Sequence, residues 1–338
     1  MIRRSLKLIL ALAVGWVLTS AGVRAQSSVE SFYRGKTLSI MIGYPPGGSY
    51  DTYARLASTY MSKYIPGAPT IIVQNKPSGG VGVLRNFVET APRDGSMIGI
   101  FPEVIAIVQL TQPEIGRWNV RDLTYIGSFA NVNAVFLLRK GAPAQTIDEL
   151  RKTPVTVGCN SRLGVAYINP ALMQRLAKMP LHIVCGYPGT SSFPVALARG
   201  EIDMISGGWT GWKAHSDVVT GELKPILQSG LKRHKDLPDV PLMQEIVTDP
   251  SDKQVIEFMS AGSAIGRALI APPDVPKDRI EALRHAFDQL VKDPDFLAQA
   301  ERLNAEIDPA SGEETQRISN AILDTPAEVV KNAIAASK

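Results

Sequence analysis

Cysteine is nearly missing from this chain: two residues in 338, Cys159 and Cys185, with no CxxC pair and no Cys/His cluster of metal-binding spacing. That excludes a zinc ribbon or finger, and no metal site is expected. Histidine is equally thin, with four residues scattered at His182, His215, His234 and His285. The motifs of common catalysts are missing as well: no GxSxG elbow, no HExxH, no GxxxxGK[ST] and no GxGxxG between a strand and a helix. The nearest glycine cluster, Gly79-Gly80-Val81-Gly82, lacks the final glycine. Beyond the first 25 residues no apolar run is long enough to span a bilayer.

A lasting excess of charge is also lacking. The formal net charge is +4, but Arg3, Arg4, Lys7 and Arg24 all precede residue 26, and no acidic residue does. Without those four, 32 basic residues face 32 acidic ones. A nucleic-acid partner, which wants a persistent basic surface, is therefore not expected.

What is present begins with residues 1–25. Basic residues precede an apolar run from Leu8 to Leu18, and small residues at Val23 and Ala25 suit a signal peptidase. The segment reads as a secretory signal peptide that leaves Gln26 as the new N-terminus. No cysteine follows the apolar run, so a lipid anchor has no attachment point and the exported chain is expected to be soluble. In an oxidising compartment Cys159 and Cys185 could pair. Both end β-rich runs at equivalent points of adjacent units, and whether they bond stays open.

The remaining length, 45% hydrophobic overall, is enough for two lobes. From Thr37 short β-rich runs alternate with helical patterns, the signature of parallel-rich sheets covered by helices. Strands are expected near 38–43, 70–74, 97–101, 134–138, 155–158, 182–185, 203–206, 223–228 and 269–271. Helices are expected near 50–64, 82–90, 147–152, 170–178 and 192–199, and through most of the chain beyond Pro250. The pattern predicts an α/β fold with a discontinuous first lobe, 26–130 plus 255–338, and a second lobe, 131–254. The chain would cross between them near 128–134 and again near 250–265.

The informative segments are glycine-rich turns that leave strands and enter helices. In Gly43–Asp51, Gly47 and Gly48 let backbone approach a ligand, and Ser49 and Asp51 can cap the next helix, whose N-terminus favours anions. A second such turn spans Gln74–Gly82. The second lobe repeats the device at Gly158–Ser161 and at Gly186–Ser191. All four lie at the ends of strands, where open α/β sheets bind ligands. Trp209 and Trp212 either wall such a cleft or pack in the core.

Several segments resemble the receptors of tripartite tricarboxylate transporters, the Bug proteins: GYPPGGSYDTYARL (Gly43 to Leu56), VQNKPSGG (Val73 to Gly80), PRDGSMIGIF (Pro92 to Phe101), GYPGTSS (Gly186 to Ser192), ARGEIDM (Ala198 to Met204), LPDVPL (Leu237 to Leu242) and the tail Ile270 to Phe296. The resemblance implies a type II periplasmic binding fold that closes like a flytrap on a small carboxylate and delivers it to a membrane permease with a large and a small subunit. It implies a periplasmic location, no cofactor and a non-enzymatic role, and a monomer is expected. By position it implies ligand contacts from Tyr44, Gly47, Gly48, Ser49, Pro77, Ser78, Gly79 and Gly80 in the first lobe. Asn160, Ser161, Tyr187, Gly189 and Thr190 are implied in the second, with Trp209 as a wall. Ser78 stands where the family usually has glycine, and Lys76 where it often has arginine.

Two rivals remain at this point. A hydrolase or lyase would use Asp51 or Asp203 with a loop hydroxyl, and a sensory module would present the ligand to a signalling partner instead of a permease. No cationic side chain sits within the glycine runs, so the anion is expected to be held by backbone N–H groups and hydroxyls without a buried arginine or lysine. A side chain at Gly48 is expected to strain the turn.

Overall fold

The computed structural model describes residues 28–76, 81–160, 162–188 and 192–337. The leader 1–25 and the candidate residues Pro77, Ser78, Gly79, Gly80, Ser161, Gly189 and Thr190 lie outside the described residues. Eleven strands occur in the described part: β1 (Thr37–Ile42), β2 (Thr70–Asn75), β3 (Met97–Ile100), β4 (Thr124–Ser128), β5 (Ala134–Arg139), β6 (Val155–Cys159), β7 (Leu181–Cys185), β8 (Met204–Gly208), β9 (Leu223–Ser229), β10 (Ala268–Ala271) and β11 (Ala310–Ser311).

They form two sheets. One has the order β11-β4-β10-β3-β1-β2 and the other β7-β6-β8-β5-β9. Both are mixed. β1 pairs parallel with β2 and β3, and β6 with β7 and β8, whereas β10 and β5 run antiparallel to their neighbours. The sheets share one plan. In each, the antiparallel strand is the one that has just arrived from the other sheet, inserted between the third and fourth local strands. Inner strands are apolar on both faces because helices cover both: five of the six residues of β1 are buried. The edge strand β2 alternates instead, leaving Ile72 exposed.

The helices follow the apolar stripes. Ser49–Tyr60 buries Tyr53, Ala54, Leu56 and Ala57 on one face, and Lys277–Leu290 buries Ile280, Leu283, Ala286, Phe287 and Leu290. Gly127 in β4 is where the second of these approaches most closely. A Cβ there would lie 2.2 Å from the Phe287 ring, so only glycine fits.

The two crossings between the sheets pair with each other. Phe129 N–H donates to Arg267 O (3.0 Å), Arg267 N–H to Ala130 O (3.1 Å) and Val132 N–H to Ser263 O (2.9 Å). Gly266 makes this ribbon possible: its φ is +56°, and a Cβ would sit 1.7 Å from Ala130 O. The tail then reaches across the molecule. Its last helix, Ala327–Ala336, packs on Pro250–Ser260 and on Val165–Leu176 of the second half. One apolar cluster therefore runs from Phe87 and Ile105 through Leu172 and Met173 to Ala333. No helix among the described residues is long and apolar enough to cross a membrane.

Candidate functional site

Register places the candidate loops on shared edges. Ile42 of β1 is opposite Asn75 of β2 and Ile100 of β3, so the segments starting at Gly43, Lys76 and Phe101 leave one edge of the first sheet together. In the second sheet Cys159 is opposite Cys185, which brings Asn160 and Gly186 side by side. Arg267 links the two edges: its Nη2 lies 3.2 Å from Ser49 Oγ of the first half, and 3.8 Å from where a Cβ on Gly208 of the second half would be.

The loop after β1 is held by a carboxylate. Asp51, buried at the third position of its helix, accepts from Gly47 N–H (3.0 Å), Arg55 Nε (2.8 Å) and Asn75 Nδ2 (3.0 Å). Asn75 Nδ2 also reaches Tyr44 O at 3.1 Å. Burial opposes the Asp51 charge, but the bonds from Arg55, Gly47 and Asn75 outweigh it and leave the carboxyl below its ordinary range. The N-cap is Gly48, which has no side chain to cap with, and Asp51 turns back to Gly47 N–H instead, so the expectation that Ser49 and Asp51 cap the helix is corrected. The first N–H groups of a helix have no partner within it.

The expected strain at Gly48 is corrected too. Its φ is −89° and a Cβ would meet nothing within 4 Å. The glycine the turn requires is Gly47, at φ +91°. Gly48 faces open space, which is where a ligand has room to lie.

Above this loop Tyr44 and Tyr50 stack with centroids 4.6 Å apart. Burial, reinforced by Glu103, pushes the Tyr44 phenol up to about 12, so it stays protonated. Beside them lies the group sequence reasoning missed. Arg267 is buried, with Nη1 2.8 Å from Glu103 Oε2 and Nε 3.3 Å from Ser49 Oγ. Its guanidinium lies 4.0 Å from the Tyr50 ring centre. Tyr50 donates to the same Glu103 oxygen at 2.6 Å. Burial works against the Arg267 charge, but Tyr50 and Glu103 beside it hold the guanidinium firmly protonated. A buried guanidinium therefore lies beside the loop, aimed at Ser49. The glycine runs carry no cation, but the fold supplies one from 218 positions away.

In the second half Cys159 and Cys185 are joined by a disulfide, with Cys159 O accepting from Gly186 N–H (3.1 Å) and Tyr187 N–H (3.3 Å). Asn160 is exposed and Tyr187 half-buried, the latter ring 5.5 Å from Phe193. The N-cap of helix Val165–Leu176 is again a glycine, Gly164. Trp209 is buried, packs with Trp212 and Leu237, and donates Nε1 to Asp236 (3.2 Å).

Two arrangements bear on the rival readings. Asp203 is tied to Arg139 Nη2 (2.7 Å) and Thr156 N–H (2.9 Å), so Asp203, like Asp51, is spent on structure and free for no general-base role. His234, Asp236 and Glu306 bring ligand atoms within 4.8 Å of one another. Lys235 Nζ, however, is 2.9 Å from Glu306 and Lys213 Nζ 3.7 Å from Asp236. Both carboxylates of the cluster are thus already paired with ammonium groups. A hollow of about 260 Å³ beside this cluster is lined by Lys213, Lys235 and Glu306 and by none of the glycine-loop residues.

The two-sheet architecture with paired crossings and strand-end loops facing a cleft defines a two-lobed binding protein. Residues 53–333 match the family described as Tripartite tricarboxylate transporter family receptor, and the chain belongs to that family. It is a transport receptor and not an enzyme. Among curated relatives, the UPF0065 protein of the tcbD-tcbE intergenic region of Pseudomonas sp. (strain P51) is 24% identical over 297 residues, covering 86% of this chain and 83% of that one. BugT of Bordetella pertussis is 21% identical over 241 residues, covering 69% and 72%. The same fold occurs in the periplasmic binding protein BugD, with a TM-score of 0.67 at 20% identity over 89% of this chain and 98% of that one. It occurs also in MatC from Rhodopseudomonas palustris with bound malate, with a TM-score of 0.66 at 20% identity over 87% and 99%.

Proposed function

We propose that this receptor binds a small carboxylate between the loop Tyr44–Ser49 and the second-lobe loops at Asn160–Gly164 and Gly186–Thr190. The observation that carries the reading is the open space among the described residues at Gly48, which is itself the N-cap of its helix. Such an N-terminus presents N–H groups and a positive dipole end to an anion. Helix Val165–Leu176 offers a second start with a glycine N-cap from the other half. Proteins of the same fold hold malate and adipate, both dicarboxylates, which supports a small carboxylate as ligand.

The rest of the reading follows the family. Residues 1–25 export the chain, the mature protein acts as a periplasmic monomer, and it hands its ligand to the large and small permease subunits. The lobes comprise 26–130 plus 255–338, and 131–254. Pro77–Gly80, Ser161, Gly189 and Thr190 complete the ligand contacts. A thermal-shift screen of mono-, di- and tricarboxylates and aromatic acids on the mature chain tests it. A true ligand raises the melting temperature with concentration as mass action requires. No response to any acid, with a response to sugars or amines, would overturn it.

A further inference from the structure

Arg267 is the charged group that the carboxylate reading leaves without a task. A serine hydroxyl has one proton and two lone pairs, and a guanidinium only donates. Here Nε and Nη2 of Arg267 both converge on Ser49 Oγ, at 3.3 and 3.2 Å. With its lone pairs facing these donors, Ser49 has only its proton left to offer. Ser49 adjoins Gly48, beside which the space is open.

The fork is held from every side. Glu103 takes Nη1 at 2.8 Å, Tyr50 fixes Glu103 and lies under the guanidinium, and the Arg267 backbone pairs with Phe129 and Ala130 of the first crossing. Such bracing keeps the guanidinium aimed at Ser49 instead of at the ligand. The Glu103 carboxylate also cancels most of the net charge, so selection by Arg267 would rest on hydrogen-bond direction more than on charge.

We propose that Arg267 is the specificity-determining positioning residue of the cleft: by occupying the acceptor side of the Ser49 hydroxyl it makes that group an obligate donor. The site then selects an acceptor-only atom, a carboxylate oxygen, over an amide N–H₂ or an ammonium. This deepens the carboxylate reading and rests on it.

The test is a double-mutant cycle by calorimetry, with succinate, malate and adipate and their monoamides and diamides as probes. Ser49→Ala weakens acid binding by about tenfold, as loss of a hydrogen bond to a charged acceptor would. Arg267→Lys keeps a cation for Glu103 but cannot fork onto Ser49, and weakens it about as much. Combining the two weakens binding no more than about twofold beyond Ser49→Ala alone, because coupled residues are not additive. Both single variants also narrow the preference of acid over amide. Where Arg267→Lys fails to fold, Arg267→Gln with Glu103→Gln replaces it, leaving no unpaired buried charge. Additive losses, or an unchanged acid-to-amide ratio in folded variants, would overturn the proposal while leaving the carboxylate reading intact. Failure of the wild type to bind these three or any other acid of the thermal-shift screen would overturn both.

Discussion

At the scale of single residues, neighbouring glycines have opposite duties. Gly47 is needed for its backbone, with positive φ and an N–H spent on Asp51. Gly48 has an ordinary backbone and open surroundings. Gly47→Ala is therefore expected to cost about 1–2 kcal/mol of stability, whereas Gly48→Val leaves the melting temperature nearly unchanged and abolishes ligand binding by filling the space beside it. Thermal melts and calorimetry on the two variants separate these effects, and a fold lost at Gly48 would count against the assignment. The sequence pattern marked the Gly43–Asp51 loop as a site because glycine, serine and aspartate have local meanings at a strand end. It gave no hint of Arg267 or Glu103, which reach the same loop only through the third dimension. Asp51 was legible as a residue of the loop but not in its role, since a carboxylate at the third helical position can bond forwards or backwards.

At the scale of elements, strands with strong apolar runs, such as β1, β5 and β9, were legible to within a residue or two. β4 was not, because Thr124–Ser128 contains a glycine and two hydroxyl residues that read as a turn, and its reason to exist is a neighbour, Phe287, far along the chain. The helix expected from Pro170 starts at Val165, with the proline inside. Proline usually opens a helix, but burial of Ala166, Ile168, Leu172 and Met173 outweighs the lost hydrogen bond. The Cys159–Cys185 bridge ties β6 to β7 where the two candidate loops depart. Closing a loop with a separation of 26 residues stabilises by about 3.5 kcal/mol in the chain-entropy view. Cys185→Ser is expected to lose roughly that amount in denaturant unfolding, and denatured, unreduced wild type to show no free thiol; two reactive thiols would contradict the bridge.

At the scale of the whole molecule, two connections join the halves besides the packing of the tail's last helix on Val165–Leu176. The ribbon of Phe129–Val132 against Ser263–Arg267 is short and depends on Gly266, so Gly266→Ala should prevent folding or lower the melting temperature severely. The second connection is ionic. Glu306 of the tail is held by His234 Nε2 (2.8 Å) and Lys235 Nζ (2.9 Å) from the other half, and its backbone oxygen accepts from Tyr53 (2.7 Å). The His234 hydrogen bond, acting against burial and helped by Lys235, lowers the Glu306 carboxyl to about 2. A depressed carboxyl contributes stability that is complete above its unfolded pKa, near 4.5, and is lost as pH falls toward 2. Other carboxylates, such as Asp51 and Asp293, shift the same way, so the difference between wild type and Glu306→Gln is the informative curve. It should shrink steadily between about pH 5 and pH 2, as followed by urea unfolding; a difference independent of pH would show that Glu306 is not an ion-pair partner. A flytrap receptor closes on its carboxylate, and solution scattering of the mature chain, with and without an acid that thermal shift and calorimetry have shown to bind, measures that closure. The radius of gyration is expected to fall on saturation, as hinge closure at the paired crossings requires; an unchanged scattering profile with the site filled would rule the closure out.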